Sequence, residues 1–456
     1  MAERLVVIGG NAAGMSAASQ ARRRRDPDNL EIVVFERGHH TSYSACGIPY
    51  WIGGETDEVG KLVIRTPATF RDRYRIDVRT RHEVLALDLE RGEVVARDLT
   101  GGGREVRERF DQLVYAAGAV PVTPDWARSD AAGVFGIQTL DDGTALLRWL
   151  EGTPRPHRAV VVGGGYIGVE MAEAMTRRGL DVTLVERRRE PMSTVDPDMG
   201  CLVREALCRL GLDVRSGIEV TGLQTRNGRV TGVHTDAGTL PADVVVLGLG
   251  ARPNTALAAE AGLPLGSTGA IRVDPRMRVP GTSGVWAAGD CVESTHRVSG
   301  QSVNIALGTH ANKQGRIAGI NIGGGYATFA GVVGTAVTRV CGLEVGRTGL
   351  RERDAVEAGF EFISARVEST NRAGYIPGAE PMTIKLIAER HDGRLLGAQI
   401  VGHSGAAKRI DVLAVALWTK MTVHDMASLD LGYAPPYSPV WDPVLVAARK
   451  AADALC

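Results

Sequence analysis

The chain has 456 residues, a length that predicts about two to four domains rather than one hydrophobic core. Its 53 lysines and arginines balance its 53 aspartates and glutamates, so no net charge draws it to nucleic acid or to an anionic membrane. The start MAERLVVIGG lacks the features of a secretory signal, and no apolar run comes near the roughly 18 residues of a membrane-spanning helix. We therefore expect a cytoplasmic protein that binds neither nucleic acid nor membrane.

Residues 4 to 37 predict a strand, a glycine-rich turn, a helix and a second strand. The turn is marked by Gly9, Gly10 and Gly14. Such a turn lets the backbone approach a pyrophosphate and directs helix N–H groups towards it. Glu36 ends the second strand, where its carboxylate can accept hydrogen bonds from ribose hydroxyls. Asn11 replaces the middle glycine of the GxGxxG motif, so this copy alone is incomplete evidence for a dinucleotide site.

A second copy of this pattern, AVVVGGGYIGVEMAEAMTRRGLDVTLVERRRE, is complete. Its glycines are Gly163, Gly165 and Gly168. Two copies in the same strand, turn, helix and strand context rarely arise by chance, so we expect two dinucleotide sites rather than two non-binding crossovers. Glu186 at the end of the second strand favours the 2′-hydroxyl of NADH, whereas Arg187 and Arg188 could pair with the 2′-phosphate of NADPH. The sequence is therefore compatible with either NADH or NADPH as the reductant.

Three further strands accompany the two motifs. FDQLVYAAGAVP (110 to 121) and ADVVVLGLGARPN (242 to 254) are each an apolar strand that ends in Gly-Ala and a proline, and they look like paired crossover strands. SGVWAAGDC (283 to 291) predicts a strand that ends at Gly289 and Asp290. An acid in this position can bind a ribityl hydroxyl, although a helix cap is the alternative role for Asp290.

This order of motifs resembles the FAD-dependent pyridine nucleotide-disulfide oxidoreductases over nearly the whole chain. The resemblance implies an α/β fold with two Rossmann-like dinucleotide-binding domains and an α+β C-terminal dimerisation domain. It places the FAD domain at 1–148 and 272–325, the NAD(P)H domain at 149–271 and the dimerisation domain at 326–456, with INIGGG (320–325) as the linker. In the last domain, TAVTRV, EFISARV and MTIKLIAE predict strands and AAKRIDVLAVALWTKM predicts a helix.

The resemblance also implies which positions contact the cofactors. For FAD these are Gly9, Gly10, Asn11, Ala12, Ala13, Gly14, Glu36, Arg37, Ser42, Val84, Ala117, Gly118, Gly289, Asp290, Ala306 and Thr309. For NADH or NADPH these are Gly163, Gly165, Tyr166, Ile167, Gly168, Glu186, Arg187 and Gly250.

The segment SYSACGIPYW (42 to 51) contains one cysteine, Cys46, between small residues. A free cysteine is usually a small buried apolar residue. Here its closeness to the first glycine turn, and the prospect that it begins a helix, favour a reactive thiolate. Dithiol members of the resembled superfamily place a second cysteine at the position of Thr41. Since one thiol cannot store an electron pair as an internal disulfide, the second sulfur or oxygen must come from a substrate.

The Cys46 segment resembles the single-cysteine branch of the family, which includes coenzyme A-disulfide reductases, persulfide reductases, and NADH oxidases or peroxidases. Peroxidases and many oxidases of that branch carry a histidine at the position of Ala12, and alanine cannot protonate an oxygen species. The leading hypothesis is therefore NAD(P)H-dependent reduction of coenzyme A disulfide, or of a related low-molecular-weight disulfide or persulfide. The alternatives are an NADH oxidase or peroxidase that cycles a sulfenic acid, and a redox-sensing flavoprotein that acts mainly through partner binding.

The resemblance implies a homodimer whose subunits share the active site. Tyr375 and Tyr433 match two tyrosines that the partner subunit presents over the cysteine in coenzyme A-disulfide reductases, where a phenol can donate a proton to a departing thiolate. Packing at the dimer interface is the alternative role for these tyrosines. The implied substrate contacts are Ser16, Gln20, Arg23 and Ser42, of which the first three share one face of the first helix.

Several features leave the thiol substrate open. Arg22 to Arg25 could meet phosphates or form a solvated cluster. The departures from the coenzyme A-disulfide reductase pattern are Ala45, Arg372, Ile376 and Trp441. The remaining cysteines show no CxxC pair or zinc-finger spacing, and Cys201 and Cys208 share a predicted helix face where packing is the simplest explanation. His39 and His40 lack partners at metal-ligand spacing, so we expect no metal.

Overall fold

The computed structural model describes residues 2–128 and 131–455. The elements of the first half are, in chain order, β1 (Glu3–Ile8), α1 (Ala12–Arg22), β2 (Leu30–Glu36), α2 (Ile48–Ile52), α3 (Pro67–Tyr74), β3 (Asp77–Thr80), β4 (His82–Asp88), β5 (Glu93–Asp98), β6 (Glu105–Arg109), β7 (Gln112–Tyr115), β8 (Ala119–Pro121), β9 (Val134–Gly136), α4 (Leu140–Leu150), β10 (Arg158–Val162), α5 (Tyr166–Arg177), β11 (Asp181–Glu186), α6 (Pro197–Arg209), β12 (Asp213–Ser216), β13 (Val220–Arg226), β14 (Arg229–Thr235), β15 (Gly238–Pro241), β16 (Val244–Leu247) and β17 (Ala251–Pro253).

The elements of the second half are α7 (Ala256–Glu260), β18 (Val285–Ala287), β19 (Ser294–Thr295), β20 (Ser302–Val303), α8 (Gly308–Ile322), β21 (Ala336–Val340), β22 (Leu343–Gly349), α9 (Glu352–Glu357), β23 (Phe362–Thr370), β24 (Pro381–Glu389), β25 (Leu395–Gly402), α10 (Ala406–Thr419), α11 (Val423–Ala427) and α12 (Pro443–Asp453). Short 3-10 turns cover Ala45–Gly47, Val59–Leu62 and Asp125–Ala127. In the described ranges, no helix is both long enough and apolar enough to cross a bilayer.

The first sheet is parallel, with the strand order β18-β7-β1-β2-β3. Its central strand β1 buries Leu5 to Ile8, as a strand covered by helices on both faces should. Helices α1 and α8 pack closely because α8 presents glycines at the contact. A Cβ at Gly315 would lie 2.1 Å from the Ala13 carbonyl oxygen, and one at Gly319 would lie 2.3 Å from that of Ala17. The two helices therefore run together beside the first glycine turn.

The second sheet repeats this plan with the parallel order β12-β11-β10-β16-β9. Its strand β9 (134–136) comes from before residue 149, so the sheet recruits chain from the segment assigned to the FAD domain, and the boundaries stay a prediction. An antiparallel three-stranded unit accompanies each parallel sheet, β4-β5-β6 in the first case and β13-β14-β15 in the second. Strands β8 and β17 pair antiparallel, which confirms the prediction of paired crossover strands.

The C-terminal region is an antiparallel sheet of order β21-β22-β25-β24-β23, against which α10 and α12 pack. The predicted strands and the predicted helix of this region are confirmed. The interpretation of INIGGG as a linker is wrong for residues 320–322. These residues complete α8 because Ile320 and Ile322 are buried, and the helix ends only at the glycines that follow.

Candidate active site

The two glycine turns have nearly the same geometry. Gly9 and Gly163 adopt φ values of +103° and +100°, which favour glycine over other residues. A Cβ at Gly14 would lie 1.9 Å from the Gly9 carbonyl oxygen, and one at Gly168 would lie 1.8 Å from that of Gly163. Each helix therefore starts directly against its own turn, and this close approach opens the turn to a pyrophosphate.

The carboxylate of one glutamate accepts backbone hydrogen bonds at each glycine turn. The Glu36 carboxylate accepts hydrogen bonds from the backbone N–H groups of Gly10 and Gly38, both at 2.7 Å. The Glu186 carboxylate accepts the equivalent bonds from Gly164 at 2.6 Å and Arg188 at 2.8 Å. Both acids thus stand at the strand end predicted for a ribose contact, and the chain contains two matched dinucleotide cradles.

The residues around the first cradle fit FAD. Gly289 adopts φ +93° beside Ala13, and burial raises the pKa of the adjoining Asp290 to about 6. No donor in the described part of the chain hydrogen-bonds the Asp290 side chain, so this partly buried carboxyl has no hydrogen-bond partner there. A ribityl hydroxyl is the kind of donor that would satisfy it. A cavity of about 510 Å³ beside Glu36 and Arg37 has room for the rest of a dinucleotide.

The other predicted cofactor contacts lie at strand ends, in first helical turns or on neighbouring strands. Of the contacts predicted for FAD, Val84 lies on β4, Ala117 and Gly118 follow β7, Ala306 precedes α8 and Thr309 lies in the first turn of α8. Of those predicted for NAD(P)H, Tyr166 and Ile167 begin α5, and Gly250 lies between β16 and β17. Arg187 lies 3.5 Å from Glu219 on the rim of the second cradle. Since Glu186 and Arg187 both stand there, either reductant remains compatible with the site.

Cys46 lies in the 3-10 turn Ala45–Gly47, directly before α2, and its side chain is exposed. The predicted helix therefore follows the cysteine. The expected stabilisation of the thiolate is not seen in the isolated chain: although the side chain can be reached by solvent, the protein atoms around it displace part of its water, and this desolvation and the negative charges of Glu170 and Asp290 raise the pKa of Cys46. A helix of one turn, α2, is too short to outweigh these effects.

The loop that carries Cys46 is tied to the first glycine turn. Thr41, at the position of the second cysteine of dithiol enzymes, is buried, and its hydroxyl donates to the Gly10 carbonyl. The backbone N–H of Ser42 donates to the same carbonyl at 3.0 Å. The N–H of Tyr43 donates to the Asn11 side-chain oxygen at 3.2 Å, a role that the sequence did not predict and that accounts for asparagine at the motif's middle position. The Cys46 loop is thus fixed against the first glycine turn.

A second cavity, of about 550 Å³, brings together all four predicted substrate contacts, Ser16, Gln20, Arg23 and Ser42. Ala12 also lines it. The lining residues that sequence reasoning missed include Arg65, Phe70, Asn312, Lys313 and Arg316. Four of the lining residues are cations, and none is a carboxylate. Such a cavity suits a ligand with several phosphates.

The arginines Arg22 to Arg25 differ in what they contact: most bond to groups around the end of α1, and one lines the cavity. Arg22 donates to the carbonyls of Arg25 and Leu30, and Arg25 pairs with Glu3. Arg24 donates to the Gln20 side-chain oxygen at 2.7 Å. Only Arg23 of this run lines the cavity, so most of the run stabilises the end of the helix.

Tyr375 and Tyr433 meet on the surface of the C-terminal region. Their side chains are 74% and 48% exposed, and a hydrogen bond between the two phenols raises the pKa of Tyr433. Tyr437, Val440 and Trp441 add to the exposed apolar surface of the same region. Their contact with a partner subunit stays a prediction. Among the described residues, no group of three or more His, Cys, Asp or Glu side chains is arranged to hold a metal ion.

Residues 3–315 match the family Pyridine nucleotide-disulphide oxidoreductase, and residues 335–443 match its dimerisation domain. An NAD(P)H coenzyme A polysulfide/persulfide reductase of Pyrococcus horikoshii is 37% identical, with 98% of each chain covered. An NADH oxidase of Methanocaldococcus jannaschii is 34% identical over 98% of each chain. The structure of an NAD-dependent persulfide reductase from A. fulgidus superposes with a TM-score of 0.94 at 38% identity, covering 99% of this chain and 83% of that one.

Proposed function

Because the chain belongs to the pyridine nucleotide-disulphide oxidoreductase family, we propose that it reduces a low-molecular-weight disulfide or persulfide at Cys46 with electrons from NAD(P)H. The family and the fold class expected from the sequence are confirmed by these matches and by the two parallel sheets. Members of this family use FAD and NAD(P)H, in agreement with the two cradles.

The observation that carries the proposal is the cationic cavity beside the cysteine loop. Ser42 and Ser44 line this cavity, and Cys46 follows two residues later. Its cations come from separate places in the chain: the C-terminal end of α1, the segment before α3, and α8. Coenzyme A carries a diphosphate and a further phosphate at a distance from its thiol, so a disulfide or persulfide of coenzyme A matches both the charge and the position of the cavity. The names of similar proteins support the same substrate class.

The chemistry at Cys46 follows from its single thiol. The Cys46 thiolate attacks one sulfur of the substrate, the substrate S–S bond breaks, and one half leaves as a thiolate that takes up a proton. With a persulfide, the leaving group is hydrosulfide. The other half stays on Cys46 as a mixed disulfide until two electrons and one proton release it as a thiol and restore the Cys46 thiolate.

Gly9, Gly14, Glu36 and Asp290 would hold FAD, which supplies the two-electron link between NAD(P)H and sulfur. The second turn, with Gly163, Gly168 and Glu186, would hold the reductant. The tie between Thr41 and Gly10 keeps the Cys46 loop at a fixed place relative to the first cradle. This chain's part in the reaction is therefore to align a thiol, a substrate cavity and two nucleotide sites.

We also propose that the homodimer shares its active sites, with Tyr375 and Tyr433 of one subunit beside Cys46 of the other. The exposure of these phenols in the single chain supports this arrangement, because a polar aromatic pair on a dimerisation domain is available to a partner. A phenol there can donate a proton to the departing thiolate. The five cysteines within the described ranges are free, which would suit the cytoplasmic location that the sequence predicted.

An NADH oxidase or peroxidase is the second candidate, because a relative of that name is 34% identical. Ala12 argues against it, since this side chain lines the substrate cavity and has no group that can donate a proton to an oxygen species. A redox-sensing flavoprotein would instead show slow turnover with every small substrate.

The test is Cys46→Ser in the FAD-loaded enzyme, with Cys208→Ser, an exposed cysteine on α6, as the matched control. We expect Cys46→Ser to retain FAD but to lose NAD(P)H oxidation driven by coenzyme A disulfide or coenzyme A persulfide, while Cys208→Ser keeps it. Full activity in Cys46→Ser would refute the proposal. Oxygen consumption by the wild type as fast as disulfide turnover would favour the oxidase.

A further inference from the structure

Gln20 lines the cationic cavity, and its side-chain amide is held from one side by Arg24. The amide oxygen accepts a hydrogen bond from the Arg24 guanidinium at 2.7 Å. A guanidinium has donors but no acceptor, so the atom that faces it must be the oxygen and not the amide nitrogen. Among the described residues Nε2 of Gln20 has no hydrogen-bond partner. The two N–H donors of this amide are therefore available to a ligand in the cavity.

The glycines that end α8 hold Arg24 in place. A Cβ at Gly323 would lie 2.7 Å from the Arg24 Cβ and 2.8 Å from its Cδ, and a Cβ at Gly325 would lie 3.4 Å from its Nε. The backbone of Gly323 has φ −74°, a value that any residue can adopt, so glycine is needed there for the space it leaves and not for its conformation. The glycine run after α8 thus gives Arg24 a fixed position beside the end of α1.

The charge of Arg24 suits this position without any ligand. Helices α1 and α8 run in the same direction, with Ala13 against Gly315 and Ala17 against Gly319, so their C-terminal ends lie together. The negative ends of both helix dipoles meet there and favour a cation. They also disfavour a phosphate, so a phosphate bound beside Gln20 depends on donors from side chains. An amide oxygen turned towards that phosphate would add to the repulsion.

We propose that Arg24 is a positioning residue for the substrate, which keeps the Gln20 amide turned so that its N–H groups, and not its oxygen, face a substrate phosphate. Arg23 lines the same end of the cavity three residues after Gln20 and supplies the charge for that phosphate. Once Arg24 is removed, the amide can rotate and present its oxygen to the cavity. This inference rests on the proposed function, which places a coenzyme A derivative in the cavity, and adds the residue that orients one of its contacts.

The test is a double-mutant cycle on the affinity for coenzyme A, measured by titration calorimetry in the FAD-loaded enzyme. The four proteins are the wild type, Arg24→Met, Gln20→Ala and the variant with both substitutions. We expect Arg24→Met to weaken binding by about threefold to tenfold, and Gln20→Ala to weaken it at least as much. In the Gln20→Ala background, Arg24→Met should change the affinity by less than about twofold, because its effect passes through the amide.

Two controls separate this role from a general effect of charge or of helix stability. Arg209→Met removes an arginine that also ends a helix and pairs with the residue four positions before it, Glu205 of α6, and it should leave the affinity unchanged. Pantetheine has the thiol arm of coenzyme A but no phosphate, so Arg24→Met should leave its affinity unchanged. Arg24 is exposed, so its replacement keeps the core intact, and flavin absorbance verifies that each variant retains FAD.

Equal losses from Arg24→Met in the wild-type and Gln20→Ala backgrounds would overturn the inference, because Arg24 would then act through its own charge. An unchanged affinity in Arg24→Met, or an equal loss of affinity for pantetheine, would overturn it as well. So would a wild type that does not bind coenzyme A, although Cys46-dependent turnover of a phosphate-free disulfide would then still support the proposed reaction. Binding of the thiol involves no redox step, so an active Cys46→Ser variant would refute the proposed function and leave the cycle standing.

Discussion

Asp290 is a partly buried carboxyl for which the described chain supplies no hydrogen-bond donor. Burial raises the pKa of Asp290 to about 6, so this group is protonated below that pH and ionised above it. A ribityl hydroxyl donates more strongly to a carboxylate than to a carboxylic acid. We expect the affinity of the FAD-free protein for FAD to rise as the pH rises from 5 to 7, as measured by quenching of flavin fluorescence. Asp290→Asn should flatten this dependence, and a flat wild-type profile would contradict the assignment.

We expect Arg65 to distinguish phosphorylated from unphosphorylated substrates of the proposed reaction. It lines the cavity with Arg23, Lys313 and Arg316, and a charge-assisted contact with phosphate is worth about 1.5 to 3 kcal/mol. We expect Arg65→Gln to raise KM for coenzyme A disulfide by about tenfold or more while leaving KM for a phosphate-free disulfide such as pantethine unchanged. Arg71→Gln, on the exposed face of α3, is the control. Equal increases in KM for both substrates would point to a structural effect instead.

At the scale of elements, alanine substitutions in the two glycine turns test the assignment of each turn to its cofactor. Alanine at Gly14 or Gly168 places a Cβ within 2 Å of a carbonyl oxygen, a clash that moves the helix at a cost of about 1 to 3 kcal/mol or more. Gly14→Ala should yield protein depleted of FAD, whereas Gly168→Ala should keep FAD and bind NAD(P)H more weakly. Gly60→Ala has open space around its Cβ and serves as the control. Absorbance at the flavin band and NAD(P)H titration separate the two outcomes, and the reverse pattern would exchange the cradle assignments.

Local patterns were sufficient to predict the two units of strand, glycine turn, helix and strand, because each glycine turn, helix and acid falls within one short segment. The strand pair β8 and β17 was also predicted, from two segments of similar composition. The cationic cavity was predicted only in part, because Arg23 is the one predicted substrate contact among its four lining cations. Arg23 lies beside the first turn in sequence, but Lys313 and Arg316 reach it through the packing of α8 on α1, which depends on glycines almost 300 positions away.

At the scale of the whole molecule, the proposed sharing of active sites predicts complementation between defective subunits. Cys46→Ser homodimers should be inactive, and Tyr375→Phe/Tyr433→Phe homodimers should be slower by about tenfold or more. A mixed dimer, made by co-expression with two affinity tags, would contain one intact site if the phenols act on the partner's cysteine. We expect it to recover about half of the wild-type activity. If the phenols act within their own subunit, the mixed dimer has no intact site and stays slow.

The paired bonds of Glu36 and Glu186 to the backbone N–H groups of their turns have a consequence for how fast nucleotides bind. Each glycine turn is already ordered before a ligand arrives. The entropy cost of ordering the turn is therefore part of folding and does not reduce the free energy of nucleotide binding. The rate of nucleotide association at either site should therefore be set by diffusion and orientation rather than by a conformational change of the turn.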